Sequence, residues 1–225
     1  MERDSFLALL RQHQAIAVIR ADDINSGLHQ AQAAAAGGIR LIEITWNSAQ
    51  PEQLINTLRQ QLTHCTVGIG TALSIADLKY AAAAGAQFCF CPHTDVRLIE
   101  TAHALQVPIV PGALTPNEIL AAWQAGASAV KVFPVNAVGG ASYIRSLQGP
   151  LGHIPLVPTG GVTVKNVVDM VRAGAIAVGL STSLFPKALV ADRNWAAIEA
   201  LATGLVEQLP TTDQAIALKA IAVPS

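Results

Sequence analysis

The chain repeats one local pattern eight times: a short apolar run followed by a longer stretch rich in alanine. The apolar runs are continuous rather than alternating, which is typical of parallel strands covered on both faces. Their starts lie 20–26 residues apart, the length of one compact strand–helix unit. The predicted strands are residues 15–20, 41–46, 66–71, 88–92, 108–112, 129–134, 155–159 and 175–181.

Eight parallel strand–helix units predict an α/β fold, a closed (β/α)8 or TIM barrel. The alternative is an open, doubly wound sheet. Even spacing, and the absence of a Gly-x-Gly-x-x-Gly turn after the first strand, favour the barrel. Residues 2–13 are expected to form an N-terminal helix that closes the barrel bottom. We expect residues 1–225 to form a single domain, with no role assigned to the C-terminal tail, residues 211–225.

Helix ends carry local signals. The segment Thr115-Pro116-Asn117-Glu118 has the cap, first-turn proline and acidic third position of a capping box. A glycine follows each of four alanine-rich stretches and precedes the next strand, which predicts left-handed helix termini. These glycines are Gly37, Gly85, Gly126 and Gly174.

Composition narrows the classes of function. Hydrophobic residues make up 52% of the chain and charged residues 13%, so much of it is buried in a core or a subunit interface. The net charge of -1 offers no broad basic face to nucleic acid or an anionic membrane. The first residues lack the apolar segment of a signal peptide, so none is expected, and no apolar stretch is expected to span a membrane. The three cysteines are expected to be buried free thiols rather than a metal site, and the protein to be cytoplasmic.

Lys131 stands in the middle of an apolar run, residues 129–134. Burying an ammonium group is costly unless it is paired or loses its proton. A lysine amine without its proton is a nucleophile that forms Schiff bases with ketones. The alternative is a side chain that extends from the strand end to solvent.

Barrel enzymes carry their active sites at the carboxyl ends of the strands. Glu43 and Lys131 are the charged residues that fall inside apolar strands rather than at their ends. Strand alternation places Glu43 on one face with Leu41 and Thr45. If that face is the barrel interior, Glu43 approaches Lys131 and the two shift each other's proton affinity. The alternative is a buried ion pair without chemistry.

A possible phosphate site follows the seventh and eighth predicted strands, where such barrels commonly bind phosphate. Gly160 and Gly161 allow backbone N–H groups to approach an anion, and a helix starting behind them would add partial positive charge. Ser181 and Thr182 supply hydroxyl groups after the last strand. A tight turn without a ligand is the alternative. No histidine spacing indicates a metal site, and His93 is expected to lie at the rim without a catalytic role.

Several segments together resemble the 2-keto-3-deoxy-6-phosphogluconate (KDPG) and 4-hydroxy-2-oxoglutarate (KHG) aldolase family. They occur in the family's order and cover about residues 15–208. Each is weakly specific alone and the set is highly specific. The segments are Val18-Ile19-Arg20, Ile42-Glu43-Ile44-Thr45, Gly68-Ile69-Gly70-Thr71, residues 111–118, Lys131-Val132-Phe133-Pro134 and Pro158-Thr159-Gly160-Gly161.

The resemblance implies a class I aldolase on a (β/α)8 barrel, usually a homotrimer, without a metal or cofactor. Lys131 matches the family's Schiff-base lysine, and Glu43 matches its general acid and base. Arg20, Thr71 and Thr159 match positions that line the pyruvyl end of the substrate. Among the other substrate-binding candidates, Phe133 matches the aromatic residue beside the lysine and Pro92 matches the proline that ends the fourth strand. Residues matching the phosphate loops are Gly160, Gly161, Ser181 and Thr182, the serine replacing a glycine.

The chain departs from the family where the substrate carboxylate is held. The phosphogluconate branch usually has arginine at the position of Asn47, whereas Asn47-Ser48 is similar to the phosphogalactonate branch. Thr159 is similar to the phosphogluconate branch instead. Arg20 is therefore a candidate for the main carboxylate partner, because a guanidinium binds a carboxylate through two hydrogen bonds.

The resemblance predicts cleavage of KDPG to pyruvate and glyceraldehyde 3-phosphate. Cleavage of 4-hydroxy-2-oxoglutarate or of 2-keto-3-deoxy-6-phosphogalactonate is the alternative within the same chemistry. A non-catalytic barrel that binds phosphosugars is the alternative from another class, and it would bind a ligand without turnover.

Overall fold

A computed structural model of the chain describes residues 1–211, so the predicted tail beyond Thr211 lies outside the described residues. Each strand overlaps one of the eight predicted runs, and the fifth run supplies two short strands. The strands are β1 (Ala15–Ile19), β2 (Leu41–Thr45), β3 (Thr66–Gly70), β4 (Cys89–Phe90), β5 (Ile109–Val110), β6 (Gly112–Ala113), β7 (Val130–Val132), β8 (Leu156–Pro158) and β9 (Val178–Leu180).

The strands pair in parallel and close into a ring. One sheet has the order β5-β4-β3-β2-β1-β9, and a second has the order β6-β7-β8. Pro111, which has no N–H to donate, separates β5 from β6 within one barrel strand. A parallel bridge between Thr159 and Gly179 joins the end of β8 to β9. The predicted (β/α)8 barrel is confirmed, and the doubly wound alternative is wrong.

Helices precede the first strand, connect successive strands and follow the last strand. They are α1 (Arg3–His13), α2 (Ile24–Ala36), α3 (Pro51–Gln61), α4 (Ile75–Ala83), α5 (Val96–Ala104), α6 (Pro116–Gln124), α7 (Ala141–Leu151), α8 (Val167–Arg172), α9 (Lys187–Ala191) and α10 (Trp195–Gln208). None of the helices within residues 1–211 combines the length and apolar character needed to cross a membrane.

The predicted helix ends are largely confirmed. Thr115 and Glu118 form the reciprocal capping box of α6. Gly85, Gly126 and Gly174 have φ values of 97°, 98° and 110°, the left-handed region that glycine tolerates best. The prediction at Gly37 is wrong by one residue, because φ is -74° there and Gly38 takes the left-handed conformation instead.

The N-terminal helix closes the amino end of the barrel, as predicted. Phe6, Leu7 and Leu10 on α1 are buried in the cluster that fills the barrel interior. The ring of Phe6 stacks on that of Phe88, with 5.4 Å between the centroids. This apolar plug leaves the carboxyl ends of the strands as the end of the barrel open to a ligand.

Candidate active site

A cavity of about 900 Å³ opens at the carboxyl ends of the barrel strands. All of the predicted site residues except Asn47 line it. They are Arg20, Glu43, Thr71, Pro92, Lys131, Phe133, Thr159, Gly160, Gly161, Ser181 and Thr182. Residues far apart in the sequence therefore meet at one end of the barrel because parallel strands end at the same edge.

Lys131 points into this cavity from the centre of β7. Its side chain is 5% exposed, so it does not extend to the outer surface. The amine Nζ lies 5.1 Å from the centroid of the Phe133 ring and 5.8 Å from that of Phe90. The solvent-reaching alternative for Lys131 is wrong, because the side chain is buried and lines the cavity.

Glu43, on β2, lines the same cavity. Leu41 belongs to the interior cluster while Glu43 and Thr45 line the cavity, so the predicted shared face is the barrel interior. Gly70 on β3 makes room for the carboxyl group, because a Cβ at this position would overlap Glu43 Oε1. Any residue larger than glycine at position 70 would therefore displace the Glu43 carboxyl group.

Burial raises the pKa of the Glu43 carboxyl group, and the nearby charges of Lys131 and Arg20 oppose this rise. The side chain is 1% exposed. Its Oε1 atom has no hydrogen-bond partner among the described residues. An oxygen that is buried and unpartnered is available to exchange a proton with a ligand or with a water beside it.

The two charged groups do not form a direct ion pair. Within residues 1–211 the one ion pair closer than 4.0 Å joins Arg97 and Asp95, on the outside of the barrel. Glu43 and Lys131 interact through their charges at longer range. The amine nitrogen and the carboxyl oxygens are therefore more than 4.0 Å apart.

Thr71 stands at the end of β3 with a φ of 59°. A β-branched residue rarely adopts this left-handed conformation, which costs about 1–3 kcal/mol. Such strain persists where the surrounding structure fixes the backbone, and it concentrates at functional sites. The position of Thr71 on the cavity wall agrees with this pattern.

The loops after β8 and β9 form the other side of the cavity. Gly160 and Gly161 have φ values of 83° and 87°, and the N–H of Val164 donates to Ser183 Oγ at 3.1 Å, tying the two loops together. The helix that follows the glycines in the chain is α8, which begins at Val167. A turn intervenes, in which the Thr163 N–H donates to Asn166 Oδ1 at 2.7 Å.

Comparison with known proteins identifies the barrel. The family model described as KDPG and KHG aldolase matches residues 7–201. The chain belongs to the KDPG and KHG aldolase family. It is therefore an aldolase, a lyase, and the resemblance seen in the sequence is confirmed.

Relatives within the family differ in substrate. The chain is 32% identical over 200 residues to the 2-dehydro-3-deoxy-phosphogluconate aldolase of Pseudomonas aeruginosa, covering 89% of this chain and 91% of that one. The native KDPGal structure matches with a TM-score of 0.79 and 28% identity, covering 90% of this chain and 96% of that one. The family is fixed by these matches and the substrate is not.

The fold is also that of the KDPG aldolase of Legionella pneumophila, captured with pyruvate as a covalent carbinolamine. The TM-score is 0.82 at 24% identity, over 88% of this chain and 97% of that one. At this identity the match supports the barrel fold alone.

Asn47 lies at the rim rather than on the cavity wall. Its Oδ1 atom accepts a hydrogen bond from Arg20 Nε at 3.2 Å. His93 is not among the residues that line the cavity.

Four polar residues of the cavity wall are not among the predicted site residues: Thr45, Thr163, Lys165 and Ser183. Thr45 follows from the same alternation that placed Glu43. The other three depend on loop conformation, for which the sequence carries no periodic signal.

Proposed function

We propose that this aldolase cleaves KDPG to pyruvate and glyceraldehyde 3-phosphate through a Schiff base on Lys131. The observation that carries the proposal is one cavity that holds a buried amine and a buried, unpartnered carboxyl group out of direct contact. A ketone between them meets a nucleophile on one side and a proton acceptor on the other.

The first step is addition of the Lys131 amine, without its extra proton, to the C2 carbonyl. The nitrogen lone pair forms the C–N bond, and the oxygen gains a proton to give a carbinolamine. Loss of water then leaves a protonated imine. A carbinolamine formed with pyruvate is the intermediate captured in the Legionella pneumophila enzyme.

The second step breaks the C3–C4 bond. Glu43, through a water molecule, takes the proton from the C4 hydroxyl group as the C–C electron pair moves toward the imine nitrogen. Glyceraldehyde 3-phosphate leaves, and an enamine remains on Lys131. The Glu43 acid then returns a proton to C3, and water releases pyruvate. A raised carboxyl pKa suits Glu43 for both directions of transfer.

The remaining wall residues have separate tasks in this proposal. Arg20 binds the substrate carboxylate. Thr71, Pro92, Phe133 and Thr159 surround the pyruvyl carbons. The phosphate is held by backbone N–H groups and hydroxyls of the two loops that follow β8 and β9. These loops contribute Gly160, Gly161, Ser181 and Thr182.

Cleavage of 2-keto-3-deoxy-6-phosphogalactonate is the second candidate. The observation that favours it is Asn47, which stands where the phosphogluconate branch usually has arginine and which contacts Arg20. The match to the native KDPGal structure adds support. Cleavage of 4-hydroxy-2-oxoglutarate needs no phosphate group, so the glycine loops argue against it.

Two experiments test the proposal. Reduction with borohydride in the presence of pyruvate is expected to fix a pyruvyl group on Lys131, identified by peptide mass spectrometry. No adduct on this residue would reject the Schiff-base mechanism and favour a non-catalytic barrel. A coupled assay with the gluconate-derived, galactonate-derived and hydroxy-oxoglutarate substrates then ranks the three by kcat/KM.

Assembly is a separate proposal. We expect a homotrimer, as the family resemblance implies, and a cytoplasmic location, as the cysteine content suggests. Sedimentation of the purified protein measures the oligomeric state.

A further inference from the structure

The end of β1 is fastened to the loop after β2 by three hydrogen bonds. The Ala21 N–H donates to Ser48 Oγ at 3.2 Å, and the Ala49 N–H donates to the Ala21 carbonyl at 2.8 Å. The third bond runs from Arg20 Nε to Asn47 Oδ1, at 3.2 Å. Through these bonds, the backbone that carries Arg20 and the backbone that carries Asn47 hold each other in place.

The segment that carries Asn47 is anchored in the barrel. Ser48 is 7% exposed and Thr45 is 1% exposed. Their hydroxyl oxygens lie 3.2 Å apart, and the Ser48 N–H donates to the Thr45 carbonyl at 2.9 Å. Asn47 itself is exposed, but its backbone is set by two buried neighbours. The Asn47 side-chain oxygen therefore contacts Arg20 from a backbone position that is held in place.

The hydrogen bond between Arg20 and Asn47 determines which N–H groups of Arg20 are left to bind a ligand. A guanidinium has five N–H donors, one on Nε and four on the two Nη atoms. Asn47 accepts from Nε, which removes the side-on pair of donors formed by Nε and one Nη. The end-on pair remains, and its parallel N–H groups match the two oxygens of a carboxylate. Arg20 lines the cavity that holds Lys131.

We infer that Asn47 is a positioning residue, which holds Arg20 so that its end-on donors receive the carboxylate of the 2-keto acid. This inference rests on the proposed function, because it takes a keto-acid carboxylate to be the ligand. It assigns Asn47 a task that differs from direct contact with substrate. A preset guanidinium loses less rotamer freedom when the carboxylate binds.

A double-mutant cycle tests this role. The quantity measured is the pyruvate concentration that gives half-maximal borohydride trapping on Lys131. It is compared in the wild type, Asn47→Ala, Arg20→Ala and the double variant. Asn56→Ala is the matched control, since Asn56 is an exposed asparagine on α3 that accepts one hydrogen bond, from Gln60 at 3.0 Å.

We expect Asn47→Ala to raise the half-saturating concentration about tenfold and Arg20→Ala to raise it more, with Asn56→Ala unchanged. In the Arg20→Ala background, loss of Asn47 is expected to have no further effect, because the residue acts through the arginine. The maximal extent of trapping is expected to stay within about twofold, since Lys131 is untouched.

Two results would overturn the inference: an unchanged half-saturating concentration in Asn47→Ala, or effects of the two substitutions that multiply independently. Either would leave trapping in the wild type intact. Failure of the wild type to form any adduct is a different outcome, because it rejects the proposed function and the inference together.

Discussion

The two ends of the barrel bury different kinds of side chain, apolar at the amino end and polar or charged at the carboxyl end. At the amino end, α1 inserts Phe6 against Phe88, and the interior there is apolar and closed. At the carboxyl end, the same strands enclose a cavity containing Glu43 and Lys131. On β2 the change from Leu41 to Glu43 takes two residues, about 7 Å along the strand. One end therefore supplies folding free energy, and the other accepts buried polar groups that reduce it.

Replacement of Lys131 by methionine is expected to have the largest effect. Lys131→Met removes the proposed nucleophile, so kcat is expected to fall by roughly four orders of magnitude or more. The free energy of unfolding is expected to stay level or rise, because an apolar side chain replaces a buried amine. Steady-state assays and urea unfolding measure the two quantities.

The control for this substitution is Lys79→Met, at an exposed lysine on α4. It is expected to keep full activity. If Lys131→Met kept its aldolase activity, the Schiff base would have to form on another residue. The contrast between an apolar amino end and a catalytic carboxyl end would then no longer rest on Lys131.

Glu43→Gln is expected to lower kcat about a thousandfold, by removing the acid and base while keeping the side-chain shape. Burial raises the pKa of Glu43 in the folded protein. A raised carboxyl pKa contributes stability that is present at low pH and is lost as the pH rises toward the raised value. Glu43→Gln is therefore expected to be more stable than the wild type at neutral pH.

Urea unfolding over a series of pH values measures this difference. The stability gain of Glu43→Gln is expected to disappear as the pH falls below the ordinary range of a glutamate. A gain that persists unchanged at acid pH would show that the carboxylate charge is not its cause.

Phe6→Ala tests the amino end. Removing a fully buried phenylalanine is expected to lower the free energy of unfolding by about 3–4 kcal/mol. The KM and kcat of the folded protein are expected to match the wild type, because the plug and the cavity lie at opposite ends. A lowered kcat in fully folded Phe6→Ala would mean that the plug also shapes the active site.

Two glycines on β3 allow the two ends of the barrel to be compared within one strand. A Cβ at Gly70 would overlap the Glu43 carboxyl group, and a Cβ at Gly68 would overlap the Phe88 ring. Gly70→Ala is expected to lower kcat about thirtyfold by displacing the base. Gly68→Ala is expected to lower the free energy of unfolding by about 1–3 kcal/mol through overpacking, with kcat within twofold of the wild type. Equal losses of activity would contradict the division between the ends.

The sequence predicted the barrel and its two buried charges for a physical reason. The length and spacing of the apolar runs predict the number of strand–helix units in the barrel. A charged residue inside an apolar run can likewise be recognised from its immediate neighbours in the sequence. The start of α8 has no such local signal, because it follows a turn in which Thr163 and Asn166 exchange hydrogen bonds between side chains and backbone N–H groups. The contact between Arg20 and Asn47 depends on two side-chain conformations in separate loops, which no spacing rule fixes.

Lys165 gives the smallest expected effect and tests the rim of the open end. It lines the cavity beside the Gly160-Gly161 turn, and it is exposed, so its attraction for a phosphate is weakened by water and salt. Lys165→Ala is expected to raise KM for the phosphorylated keto acid about threefold at low salt, with a smaller effect at high salt. Lys79→Ala is the matched control.

The chemistry at Lys131 has no phosphate requirement, so half-saturation by pyruvate in borohydride trapping is expected to be unchanged in Lys165→Ala. An equal loss for pyruvate would place Lys165 with the keto-acid group rather than with the phosphate. An unchanged KM at every salt concentration would leave phosphate recognition to the backbone N–H groups and hydroxyls of the two loops, which hold fixed positions that a flexible lysine does not.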